Sequence, residues 1–216
     1  MSQLAYGLLT LLLIAASFWL WRQRRPLSAA ARGAMTAALL GLGLAAAASL
    51  LLSLGSLAKE PEHTQRILGL AAQNLSLPLL GLAAFYLGRG LQWQPAAWGR
   101  ILLGLMAAFE LLRRMDQLFG YQWVINSAAL LVMLAGCLLV ARQDRRPLPF
   151  VALCAVGTLT PLLQPGAAPL ADLFVPGDTL LLLFPALLGA AVTVGLLSEQ
   201  AHNRSQPEPD DHQPRP

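Results

Sequence analysis

The chain has 216 residues, of which 56% are hydrophobic and only 12% charged, about half the charge of an ordinary water-soluble domain. Its formal net charge of +4 comes from basic residues dispersed among loops, not from the concentrated patch that a nucleic-acid partner requires, so such a partner is excluded. Apolar runs take up nearly the whole length, which leaves no room for a second, soluble domain.

A helix of about 20 apolar residues crosses a hydrocarbon core of roughly 30 Å. Seven such runs follow one another, at 4–21, 34–57, 66–88, 98–118, 122–141, 149–164 and 178–198. The expected fold is all-α: a polytopic membrane helix bundle of seven transmembrane helices over residues 1–199. A cytoplasmic tail over 200–216, rich in Pro, Asp, Gln and Arg and without an apolar face, is expected to be disordered.

The first run has no basic start, and Arg22, Arg24 and Arg25 come after it. It therefore reads as a signal anchor with its N-terminus outside. Alternation then places nine basic residues inside: Arg22, Arg24, Arg25, Arg32, Arg89, Arg100, Arg142, Arg145 and Arg146. Four fall outside, Lys59, Arg66, Arg113 and Arg114. This asymmetry follows the positive-inside rule and predicts an N-out, C-in protein of the plasma (bacterial inner) membrane. Trp19, Trp21, Trp93, Trp98, Tyr121 and Trp123 mark the run boundaries, where amphipathic rings favour the headgroup zone.

In the second run Gly41, Ala45, Ser49 and Ser53 recur every four positions along one stripe. Small residues let a neighbouring backbone approach closely. The stripe reads as an interior packing face, with a homodimer or another membrane protein as the alternative occupant. Prolines interrupt three runs, at Pro78, Pro161 and Pro185. Kinks are expected there, because each proline frees the carbonyl four residues earlier, at Asn74, Gly157 and Leu181.

The fourth run carries the main polar cluster. Glu110, Arg113, Arg114 and Gln117 stand at i, i+3, i+4 and i+7 on one helical face, with Asp116 beside Arg113. At ~1.5 Å per residue Glu110 is about 18 Å from Trp98, and Asn74 about 12 Å from Arg66, which puts both in the outer half of the bilayer together with Asn126. The expected arrangement has Glu110 holding Arg114 and leaving Arg113 free for an anionic group, since guanidinium forks match phosphate and carboxylate oxygens. Asn74, Glu110, Arg113, Arg114, Asp116 and Asn126 form the candidate ligand-binding set.

Several chemistries are excluded. The single lysine, Lys59, lies in a loop, so no retinal Schiff base forms within a span. His63, His202 and His212 all fall outside the runs, which argues against a haem or imidazole metal site in the bundle. Cys137 and Cys154 lie on apolar runs and read as small buried hydrophobes. No cofactor signature and no catalytic motif is found. Three functions follow. The first is binding or transport of a small polar or anionic solute, or a lipid headgroup, at the outer polar layer. The second is a non-catalytic accessory or assembly subunit of a membrane complex. The third is a lipid-modifying enzyme using Glu110 or Asp116, the weakest because a carboxylate catalyst needs a partner base, metal or nucleophile.

Overall fold

The computed structural model describes residues 2–54, 62–115, 117–142, 144–159 and 180–205. Seven helices account for most of them, with no strand among the described residues: α1 (Ser2–Arg24), α2 (Ala29–Leu54), α3 (Glu62–Arg89), α4 (Pro95–Arg114), α5 (Leu118–Val140), α6 (Leu148–Leu159) and α7 (Leu180–Ser205). Four of these contain a stretch long and apolar enough to cross a membrane: Gln3–Arg24, Ala29–Leu54, Ile67–Arg89 and Trp123–Val140. The expected seven spans are thus seven helices of unequal character. The twelve described residues of α6 reach only about 18 Å. Helix α4 is continuous, but its apolar run is broken by Arg100, Glu110, Arg113 and Arg114. Pro161 and Asp116 lie outside the described residues, while Pro78 and Pro185 sit inside α3 and α7.

Helix α3 is the hub. It packs most extensively on α5 and α2, and also touches α7 and α4. Small residues make these approaches possible. A β-carbon added at Gly81 would stand 2.5 Å from the Ala129 carbonyl oxygen, and one at Gly88 would collide with the Gly136 carbonyl. Both pairs step seven residues along both helices, so α3 and α5 run parallel with backbones in contact. On the other side of α3, the Ser76 hydroxyl donates to the Gly41 carbonyl over 2.8 Å. Gly41, Ala45 and Ser49 are buried, and Gly41 lies against the Ser76 backbone. The part of the α2 stripe nearest Gly41 is therefore filled by α3 of the same chain.

Polar side chains tie one end of the bundle together. Ser198 of α7 donates to Gln23 of α1 (2.8 Å), and Gln23 donates to Glu199 (3.2 Å). Gln200 donates to Asp144 in the α5–α6 turn (2.7 Å), and Arg204 to the Gly88 carbonyl (3.1 Å). These bonds explain why α7 continues through Gln200 to Ser205, into the segment expected to be a disordered tail. They also bring the last turns of α1, α3 and α7 to one end, with Arg22, Arg24, Arg25, Arg89, Arg142, Arg145 and Arg146 close by in sequence. This is the arginine-rich end of the bundle.

At this end α3 stops in a Schellman motif. Gly90 adopts φ 65°, the Gly90 amide donates to Leu87 (3.3 Å) and the Leu91 amide to Tyr86 (3.2 Å). A residue without a β-carbon is favoured at this left-handed position. The turn is then locked by rings: Tyr86 meets Trp93 and Trp98 edge-on, with centroids 5.5 and 5.4 Å apart, and the Tyr86 hydroxyl accepts from the Trp93 amide over 3.0 Å. Helix α4 starts at Pro95, whose missing N–H costs nothing in a first turn. Past Trp98 it is attached loosely, leaving Leu103, Met106 and Leu111 exposed. The outer surface elsewhere is equally apolar: Leu4, Leu8, Leu11 and Phe18 of α1, and Val124, Leu131 and Leu138 of α5, are all exposed. Such a continuous apolar coat suits lipid, not water.

Candidate functional site

The polar cluster of α4 closes on itself. The Glu110 carboxylate accepts two bonds from Arg113, Nε to Oε2 and Nη2 to Oε1, both 2.8 Å. It accepts a third from Arg114 Nε at 2.9 Å. This corrects the expectation that Glu110 holds Arg114 alone and leaves Arg113 free. On a helix the i+3 and i+4 neighbours are both within reach of i, and a carboxylate has acceptor capacity for both forks. The side chains are exposed: Glu110 41%, Arg113 50% and Arg114 74%. The cluster is therefore a surface ion-pair group, not a desolvated one.

The two asparagines sit elsewhere. Asn74 and Asn126 are fully buried within the bundle. Asn74 donates through Nδ2 to the Leu70 carbonyl one turn back (2.7 Å), and its Oδ1 has no hydrogen-bond partner among the described residues. The α3–α5 register set by Gly81 and Ala129 brings Asn126 level with Pro78, about one turn from Asn74. So depth along the bundle is shared, but direction is not: the asparagines face inward and the α4 cluster faces out. The five described candidate residues do not form one pocket. Asp116, the sixth, lies outside the described residues.

A different site is built at the arginine-rich end. A cleft of about 440 Å³ opens between α2 and α4, bounded also by α1 and α3. Its walls are Gly33, Thr36, Ala37, Leu40, Leu79, Trp98, Gly99 and Leu102, with Arg24 and Arg32 at its mouth; the Thr36 hydroxyl is already bonded to the Arg32 carbonyl over 2.7 Å. The cleft exists because Trp98 is wedged against Gly33, where a β-carbon would come within 2.9 Å of the indole. That contact fixes α4 at one point and leaves the two helices splayed beyond it. Two N–H donors of lining residues, Trp98 Nε1 and Arg24 Nε, are buried without a partner among the described residues. Unmatched buried donors are costly and are rare enough to call for an explanation.

The arginines at the mouth are held in place. Arg32 donates from Nε to the Leu27 carbonyl at 2.9 Å, and the Arg24 guanidinium stacks over the Trp21 ring at 5.1 Å, a cation–π arrangement. A second cavity of about 260 Å³, lined by Trp21, Arg24, Arg25 and Arg32, adjoins the first through the two shared arginines. None of these arginines pairs with a carboxylate among the described residues. Sequence reading assigns the arginines to topology and Trp98 to the interface. Their convergence depends on α1, α2 and α4 being neighbours, which only the α1–α2 turn and the α3–α4 turn encode locally.

Other groups at this end are structural. Asp144 accepts from the Arg146 amide (2.9 Å) and from Gln200. These bonds, the Arg146 amide first, hold its carboxyl below the usual range. Cys137 and Cys154 are buried and free of any disulfide. Compared with protein-family models, curated proteins and solved structures, the chain matches none.

Proposed function

We propose that the chain is a multi-pass membrane protein that binds an anionic group where the cleft between α1, α2 and α4 meets the adjoining basic pocket, at Arg24 and Arg32, with the arginine-rich end on the cytoplasmic side. The observation that carries this reading is the pair of buried donors without a partner among the described residues, Arg24 Nε and Trp98 Nε1, at a cleft with no carboxylate in its lining. Donors aimed at no protein acceptor suit a ligand rich in oxygen acceptors, and arginine is the side chain that best matches phosphate or carboxylate geometry. The nine-to-four distribution of basic residues supports the orientation. The exposed cluster of Glu110 with Arg113 and Arg114, which keeps one surplus positive charge, supports an anchor for one helix end in the headgroup zone, in place of the outer ligand site expected from sequence.

The test is ligand-dependent stability of the full chain in uncharged detergent. Inorganic phosphate, glycerol phosphate or an anionic phospholipid should raise the unfolding midpoint, as any ligand of the folded state does. The rise should be lost in Arg24→Gln and reduced in Trp98→Phe. If none of the three probes moves the wild-type midpoint, the binding reading is wrong and an accessory role takes its place.

A further inference from the structure

Resting on that reading, we infer that the ligand is a membrane phospholipid with an anionic head, its chain lying in the α2–α4 cleft and its phosphate in the adjoining three-arginine pocket. A free anion would use only the pocket. The apolar cleft runs from Arg32 to Leu40 along α2, about 12 Å at helical rise, and a soluble phosphate would leave that length unfilled. Its far wall, Leu40, Leu79 and Leu102, is apolar, and Leu40 is itself exposed at the surface of the bundle. A chain can therefore enter sideways from the bilayer.

The two cavities, about 440 and 260 Å³, share Arg24 and Arg32. The apolar and basic parts thus meet at the same two side chains, as a lipid's glycerol–phosphate junction requires. Basic pockets between membrane helices on the cytoplasmic side recognise anionic headgroups in this way. Arg25 extends the basic pocket and Trp98 offers its indole N–H within the cleft.

The same end holds a control. A broader groove of about 680 Å³ between α3 and α5 is crowned by Arg89 and Arg142 over Phe85, Leu138 and Leu139. It carries two arginines at the same end, and removing both, as many as are removed from the cleft, tests whether basic charge alone suffices.

The experiment is native mass spectrometry of the full chain, equilibrated with phosphatidylglycerol and phosphatidylcholine of equal chain length, with a parallel arm using glycerol phosphate. Phosphatidylglycerol should be retained over phosphatidylcholine by about thirtyfold, the scale of two arginine contacts. The preference should vanish in the double variant Arg24→Gln/Arg32→Gln and persist in Arg89→Gln/Arg142→Gln. Gly99→Phe supplies a variant that keeps every charge: Gly99 lines the cleft and has open space around its Cα, so the ring can fill the cleft and should displace the lipid. Equal loss in both arginine doubles would overturn the proposal in favour of general surface charge. Binding of glycerol phosphate without any lipid preference would overturn the lipid and leave the anion site standing. Binding of neither would overturn both.

Discussion

Gly88 of α3 and Gly136 of α5 meet backbone to backbone. A β-carbon on Gly88 would collide with the Gly136 carbonyl oxygen, and one on Gly136 would stand 2.7 Å from the Phe85 Cα. Neither neighbour is the end of a flexible side chain, so the helices themselves must separate to admit a methyl group. Gly88→Ala and Gly136→Ala should each cost about 1–3 kcal/mol, the usual price of overpacking. Gly104 of α4 has nothing within 4 Å, and Gly104→Ala should leave stability unchanged or improve it, since alanine is the better helix former. Thermal unfolding in detergent checks all three. A Gly88→Ala chain as stable as Gly104→Ala would mean that α3 and α5 are not in this contact.

The α4 cluster gives the opposite expectation. Because Glu110, Arg113 and Arg114 are exposed, Glu110→Gln should lower the unfolding midpoint by less than Gly88→Ala does. Double-mutant cycles should couple Glu110 more strongly to Arg113, which makes two bonds, than to Arg114, which makes one. A stronger coupling to Arg114 would restore the pairing expected from sequence.

Asp144 makes the arginine-rich end sensitive to acid. Its carboxyl is held below the ordinary range by the Arg146 amide, Gln200 and the Arg146 charge. A carboxylate depressed in the folded state stabilises the fold above its unfolded pKa, and that contribution is lost as pH falls through the folded value. Unfolding midpoints recorded from neutral pH down to about pH 3 should fall less steeply for Asp144→Asn than for wild type. Identical slopes would show that Asp144 contributes nothing to the α5–α7 connection.

Topology is checked by single introduced cysteines. Ser28 and Gln92 are exposed in turns of the arginine-rich end, and Gln117 is exposed in the turn before α5. The native Cys137 and Cys154 are buried. Ser28→Cys and Gln92→Cys should label from the cytoplasmic side and Gln117→Cys from the other. If Gln92→Cys and Gln117→Cys label from one side, α4 lies along the membrane surface instead of crossing it.

The helices were legible because apolar runs, prolines and arginines are local signals. All seven appear, and the Gly41 stripe is a packing face. The parallel pairing of α3 with α5 was not, although Gly81, Gly88 and Gly136 are visible in the sequence: nothing local says which helices are neighbours. The divergence of the candidate residues was not legible for a related reason. Rise per residue gives depth, so Asn74, Asn126 and Glu110 could be placed at similar levels. It does not give direction, and the asparagines turn inward while Glu110 turns out. The cleft was hidden because Arg24, Arg32 and Trp98 each have an ordinary reading as topology or interface residues.

The most direct measurement is quenching of tryptophan emission by phospholipids with brominated chains, compared for anionic and neutral headgroups. Trp98 lines the cleft, so a chain drawn in by the arginine pocket comes to rest against its ring. Brominated phosphatidylglycerol should quench wild type more than brominated phosphatidylcholine. The excess should disappear in Trp98→Phe and in Arg24→Gln/Arg32→Gln. Equal quenching by the two lipids in wild type, or an undiminished excess in Trp98→Phe, would contradict a lipid site in this cleft.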